Sequence, residues 1–155
     1  MIVVISVLGI LSAVAIPSMN DFIVSSRASA EVRSLMRFVA SARSEAIAQA
    51  QPVSISRISD NWSGGWRSWI DVNGNGQYDA GETLKQQSAI GSKSSISIKQ
   101  TDAAISTFRF NSEGFLDSAA VIAIEYRSYP EKCSVDRNMT LNLSGQLTLS
   151  ERSCS

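Results

Sequence analysis

Histidine does not occur among the 155 residues, which removes the commonest general base and the commonest zinc ligand. Cysteine occurs twice, as Cys133 and Cys154, with no CxxC spacing of the redox or metal-binding kind. Neither sign of charge is in excess: Lys+Arg and Asp+Glu number 14 each, the formal net charge is +0 and the sequence pI is ≈ 6.2. The chain as a whole therefore carries no basic footprint for nucleic acid or anionic lipid. A nucleophile needs an adjacent base and an orienting partner, and what remains are Ser/Lys neighbours such as Ser92 and Lys93, ordinary polar-loop residues. The expectation is a protein that is not an enzyme and has no cofactor, with a single calcium-loop pattern as the exception.

The most consequential absence is local. Residues 1–20, MIVVISVLGILSAVAIPSMN, contain no charged side chain. A helix of about this length crosses the roughly 30 Å hydrocarbon core of a bilayer, so the segment reads as a membrane helix or as a helix buried among others of its kind. A cleaved secretory signal would need a basic region in front and a small-residue cleavage site behind. Here the first charge is the acidic Asp21. A helix apolar all round is one that is buried all round. Val4, Leu8, Gly9, Leu11, Ser12, Ala13, Ala15 and Pro17 are the candidate helix-packing residues, the small ones allowing close approach of a neighbour. A plain membrane anchor would use the same residues.

Beyond Asn20 the chain becomes amphipathic. Ala28, Val32, Leu35, Val39, Ala42 and Ala46 recur at intervals of three and four, with Met36, Phe38 and Ile47 widening the stripe. Arg27 and Glu31, one turn apart, can pair on the polar side. Pro17 should kink or loosen the helix, and Pro52 should stop it near Gln51. From residue 52 the period becomes two. Val53 and Ile55, Trp66 to Val72, Thr83 to Gln87, Ile96 and Ile98, Thr107 to Phe110, Val121 to Tyr126, Met139 to Leu143 and Gln146 to Leu149 are strand candidates, the last pair joined through Ser144 and Gly145. One helix followed by short antiparallel strands is an α+β fold. It divides into residues 1–25, the apolar half of the helix, and residues 26–155, a single globular domain with an amphipathic helix over 26–51 and a β-rich region over 52–155.

Three features are site candidates. Asp71, Asn73, Asn75, Gln77, Asp79 and Glu82 fit the calcium-loop template, with Gly76 at the sharp turn. Strand flanks replace the two helices of an EF-hand, so the alternative is a turn in which Asx side chains bind backbone amides while Gly74, Gly76 and Gly81 take positive φ. Trp62, Trp66 and Trp69 surround Gly64-Gly65, as core residues or as a ligand platform. Because Trp66 and Trp69 have opposite parity on a strand, one of them should be partly exposed and available as an interface. Cys133 and Cys154 flank the last hairpin and are expected to pair in an oxidising compartment; the other reading is two reduced thiols. Arg57, Arg67, Arg109, Arg127, Arg137 and Arg152 are scattered through the β region, and DNA is a partner that this spread does not favour.

A charge-free helix ending in AIP, an amphipathic half rich in Ser, Arg and Ala, a β-rich domain and a late cysteine pair resemble type IV pilins and pseudopilins. ASARSEAIAQAQPVSIS (Ala40 to Ser56), GWRSWIDVNGNGQYDAGETL (Gly65 to Leu84) and FRFNSEGF (Phe108 to Phe115) resemble more narrowly the FimT/FimU-like minor pilins and the H-type pseudopilins of type II secretion. The resemblance implies a minor pilin that helps to initiate or cap a pilus, with a type II secretion pseudopilin as the alternative. A membrane-tethered module binding DNA or calcium is a third reading. It implies as partners other pilins or pseudopilins, an inner-membrane assembly platform and a prepilin peptidase. It also implies location in a bacterial inner membrane with a periplasmic domain before assembly, and in a pilus or periplasmic pseudopilus afterwards. The family's leader, its methylated N-terminal residue and the glutamate near it match no position here, so the sequence resembles an N-terminally truncated member.

Overall fold

A computed structural model describes the backbone of residues 2–91 and 93–154 and the side chains of 19–91 and 93–154. Helix α1, Ile2–Gln49, is continuous over 48 residues. The side chains of the candidate packing residues between Val4 and Pro17 lie outside the described residues; the backbone stays helical through Pro17. Among the described residues no helix is long and apolar enough to cross a membrane.

After α1 come β1 (Val53–Arg57), a 3₁₀ turn at Trp62–Gly64, β2 (Gly65–Trp69), β3 (Thr83–Ser88), β4 (Ser95–Gln100), β5 (Ala103–Ala104), β6 (Thr107–Phe110) and β7 (Ile122–Arg127). A second 3₁₀ turn at Cys133–Val135 precedes β8 (Arg137–Leu141) and β9 (Leu147–Glu151). Two antiparallel sheets result. One has the order β3-β2-β1-β6 and the other β5-β4-β7-β8-β9. The α+β expectation holds, with the strand ends shifted by at most three residues and β5, two alanines long, added. Nothing in the sequence marks Ala103–Ala104, since two residues cannot display a period.

The helix stripe forms the central layer of the core. Ala28, Val32, Leu35, Val39, Ala42 and Ala46 are all buried, with Phe38 beside them. They meet Val53, Ile55, Trp66, Phe108 and Phe110 from the first sheet and Ile96, Ile98, Ile122, Ile124, Met139 and Leu141 from the second in one continuous apolar cluster. Ile47 departs from the expected stripe, being 50% exposed. It lies against Gly114, where a Cβ would come 2.6 Å from its Cδ1, so its place is over a turn at the rim. Glu31 reaches inward to the second sheet, where its Oε2 accepts the Tyr126 hydroxyl at 2.7 Å. Burial pushes the Tyr126 phenol above its ordinary range, and its bond to Glu31 adds to the rise, so the hydroxyl keeps its proton and donates it.

The helix ends two residues before the Gln51 that Pro52 suggests. Gln51 N–H donates to Ala46 O at 3.2 Å and Ala50 N–H to Ile47 O at 3.3 Å, the paired bonds of a Schellman stop. The residue in the left-handed position is Ala50, at φ 51, where a glycine is usual because it has no Cβ to clash. Replacing Ala50 by Gly should relieve this and stabilise the domain by about 0.5–1 kcal/mol, read as a higher urea midpoint with an unchanged m-value. A lower midpoint would show that the stop carries no strain.

Candidate functional site

The β2–β3 connection, residues 70–82, is closed by its own polar side chains. Asp71 Oδ1 accepts the Gly74 and Asn75 amides at 2.8 and 3.1 Å, and Oδ2 accepts Gly76 at 2.8 Å. Asn75 Oδ1 accepts Gln77 N–H at 2.7 Å. Asn73 and Asn75 each donate from Nδ2 to Asp79 Oδ2 at 2.7 Å. Glu82, 8% exposed, accepts the Val72 amide with Oε1 and the Asp79 amide with Oε2, at 3.0 and 2.9 Å. The loop thus gathers Asp71, Asn73, Asn75, Asp79 and Glu82, the side chains of the calcium pattern, as acceptors for backbone amides and as partners of one another. Gly74, Gly76 and Gly81 take the positive φ that such a turn needs. Among the described residues no three His, Cys, Asp or Glu side chains lie together in a group able to hold a metal ion.

This loop corrects the expectation for the tryptophans. Trp66 and Trp69 do lie on opposite faces of the first sheet, yet both are buried, at 0% and 4% exposure. Trp66 faces the helix, its ring edge-on to Phe38 at 6.1 Å. Trp69 faces outward and is roofed by the loop: Tyr78 lies edge-on to it at 6.0 Å, and its Nε1 donates to Ser56 Oγ at 3.2 Å. Arg67 then stacks 4.0 Å from the centre of the Tyr78 ring. Strand parity alone carries no sign of a loop folded back over the second face. The one signal is Tyr78, the aromatic within an otherwise polar turn. Hydrogen bonds to Thr83 and to Arg67 lower the Tyr78 phenol from its ordinary value. Trp62 is core as well, with Nε1 donating to Ile105 O at 2.8 Å.

The cysteines pair as expected. Cys133 and Cys154 form a disulfide with a Cα–Cα distance of 5.9 Å, closing a loop that contains β8 and β9. Beside it lies a polar knot that the sequence does not reveal. Asp136, 0% exposed, accepts Ser128 N–H and Ser128 Oγ–H at 2.8 and 2.9 Å on Oδ1, and Arg152 Nη1–H at 2.8 Å on Oδ2. Burial alone would raise this carboxyl, but Ser128 and Arg152 outweigh it and hold Asp136 below the usual carboxylate value. Arg152 also pairs with Glu131 at 2.8 Å. Lys132, from the same loop, forms an ion pair with Asp21 of the helix.

The arginines weighed as a nucleic-acid surface are largely occupied within the chain. Arg109 pairs with Asp117 at 2.5 Å, Arg127 with Glu125 at 3.6 Å and Arg137 with Glu151 at 4.0 Å, while Arg67 is held by Tyr78 and Arg152 by Asp136 and Glu131. One outward-facing apolar feature is helical. Residues 19–27 are exposed except for half-buried Val24, and they include Met19, Phe22 and Ile23 at 66, 73 and 45% exposure. Three large apolar side chains in solvent on one helical segment mark an interaction surface.

A family model described as type II transport protein GspH matches residues 31–146. Among solved structures, the type IV minor pilin FimU of Pseudomonas aeruginosa is similar in two crystal forms. The first has a TM-score of 0.64 at 19% identity, covering 86% of this chain and 92% of that one; the second has 0.60 at 20%, covering 81% and 90%. The minor pseudopilin EpsH from the type 2 secretion system of Vibrio cholerae is similar at a TM-score of 0.58 and 14% identity, covering 81% of this chain and 97% of that one. No curated protein matches.

Two outcomes are expected of the polar knots. Asp71→Ala, which removes the charged acceptor of three backbone amides, should cost about 1–3 kcal/mol in buffer containing EDTA, read by urea unfolding; a loss seen only when calcium is present would indicate an ion site instead. Because the folded-state pKa of Asp136 is depressed, its contribution is complete above the unfolded carboxylate value of about 3.9. It is lost as pH falls through the lower folded value. Asp136→Asn should lower stability by about 2–3 kcal/mol at pH 7 and flatten the fall in melting temperature below about pH 4. An equally steep acid limb in the variant would place that titration elsewhere.

Proposed function

The chain belongs to the GspH family of type II transport proteins, and on that premise we propose that it is a minor structural subunit of a pilin-like filament. Its helix would hold it to neighbouring subunits, and its globular domain would set which neighbours it accepts. The observation that carries this reading is the division of labour along α1. From Ala28 onward the apolar stripe is buried in the chain's own core; before it Met19, Phe22 and Ile23 are offered to solvent. A helix of 48 residues is about 72 Å long at 1.5 Å per residue, far more than one small domain covers. The charge-free residues 1–20 continue the same surface, suited both to a bilayer before assembly and to a dry helical bundle afterwards.

Minor type IV pilin is the reading we place first, with pseudopilin of type II secretion second. The family description favours transport, and the fold likeness extends to both FimU and EpsH. Deleting the gene separates them: loss of surface pili with normal protein secretion supports the first, and the reverse supports the second. In either machine the chain is expected to start in the inner membrane with its domain in the periplasm, and to depend on a prepilin peptidase and an assembly platform. Its role is structural, with partners of its own superfamily.

Phe22→Asp probes the helix surface directly. Surface substitutions usually change stability by less than about 0.5 kcal/mol, so the melting temperature should not move. Burying an unpaired carboxylate in a dry bundle is costly, and incorporation into sheared filaments, read by immunoblot, should fall about tenfold or more. Normal incorporation of the Asp variant would refute helix packing at this position.

A further inference from the structure

Between α1 and β9 runs an open apolar trough. It holds two cavities of about 420 and 210 Å³ that share Met36. The helix supplies Met36, Val39 and Ile47, and the strand supplies Leu147 and Leu149. Leu149 is 48% exposed, so a sizeable apolar side chain stands uncovered at the end of a sheet.

The strand forming this wall is an outer one, at the end of the order β5-β4-β7-β8-β9. In an antiparallel ladder, facing pairs alternate between those that exchange hydrogen bonds and those that do not. Asn142 N–H donates to Gln146 O at 2.9 Å, which sets the phase of the hairpin. Thr140–Thr148 and Asn138–Ser150 are then bonded pairs, and the backbone N–H and C=O groups of Leu147, Leu149 and Glu151 point away from β8. Such an edge is a template for one more strand. Its lack of lysine and proline and its apolar side chains give it little of the usual protection.

Charge selects the occupant. The residues lining the two cavities include Arg33, Arg43 and Arg137 and no carboxylate; Arg43 donates to Gly114 O and Arg137 pairs with Glu151, while Arg33 stands exposed on the rim. Glu151, 4.0 Å from Arg137, is the one acid in β9. A second copy of this chain is a poor match, because of its own outer strands β3 (TLKQQS), β6 (TFRF), β5 (AA) and β9 (LTLSE) none carries more acid than the single Glu151. We propose that the α1–β9 trough receives an acidic, extended segment of a different filament subunit, which adds as a strand to β9 and seats alternate apolar side chains between the helix and Leu149. This rests on the filament-subunit reading and names the surface and the chemistry of its partner.

The test uses the full chain in the cells that produce it, with the photo-reactive residue p-benzoylphenylalanine placed at Leu149 or, in parallel, at Phe22. Mass spectrometry of the products should show Leu149 linked to an acidic, strand-forming stretch of another subunit, and Phe22 linked to subunit helices. Glu151→Pro removes an outward N–H at an edge position where proline is tolerated. It should cut the Leu149 cross-link about three- to tenfold, the range one lost hydrogen bond gives, whereas Glu151→Ala should not. Arg33→Glu, on an exposed position of the rim, should lower it comparably and keeps the test decisive if the proline variant fails to fold. Linkage of Leu149 to a second copy, or to nothing while Phe22 still links, overturns the strand-addition proposal and leaves the filament reading intact. Loss of linkage at both sites overturns both.

Discussion

The structure depends on one helical stripe being shared by two sheets. Ala28, Val32, Leu35, Val39, Ala42 and Ala46 present a narrow face that packs into one apolar cluster with residues of both sheets. Neither sheet has another helix to cover it among the described residues. A polar substitution anywhere on this stripe would therefore unseat both sheets at once, which is why the strongest periodicity in the sequence falls there.

Around that contact, polar groups fix position where apolar packing cannot. Arg43 donates from Nε to Gly114 O at 2.9 Å, and Gly145 passes so close that a Cβ would fall 2.2 Å from the same carbonyl. The FRFNSEGF turn is thus held at the end of the helix by one guanidinium, with the β8–β9 turn packed closely against both. At the opposite end of the domain, Asp136, Ser128 and Arg152 tie the loop before β8 to the segment after β9. The disulfide secures the same junction covalently. Tyr126 and Glu31 pin the second sheet to the middle of α1. Directional bonds of this kind choose one arrangement among several that would bury similar apolar area.

The legible parts of the sequence are those with a period. The helix stripe can be read residue by residue, and most strands to within a few residues, because burial on one face imposes spacing. The cysteine pair is legible from redox compartment and position. The illegible parts are tertiary. Strand parity makes Trp69 a candidate for exposure, because a strand has two faces and only one packs on the helix; Tyr78 alone hints that residues 70–82 cover the other. Ile47 matches the helical spacing and yet sits at the rim, since the sheet ends before the helix does. Asp136 looks like any loop acid, and its burial is visible only once Ser128 and Arg152 arrive from elsewhere in the chain. The Asp71 to Glu82 pattern is legible as a tight turn, and its inward network of amides and carboxylates is the geometry that a turn of that composition adopts.

The ion pair between Lys132 and Asp21 joins the last exposed turns of the helix to the loop secured by Asp136 and the disulfide. Taken mechanically, it sets where a pull along the helix axis enters the domain. Tension transmitted down α1 would load the Ala28–Ala46 stripe in shear, spread over many contacts at once, instead of peeling the helix away one residue at a time. The covalent loop lies at the end where the force arrives, and the Arg43 anchor lies at the far end. The domain is thus tied to its helix at both ends of the stripe.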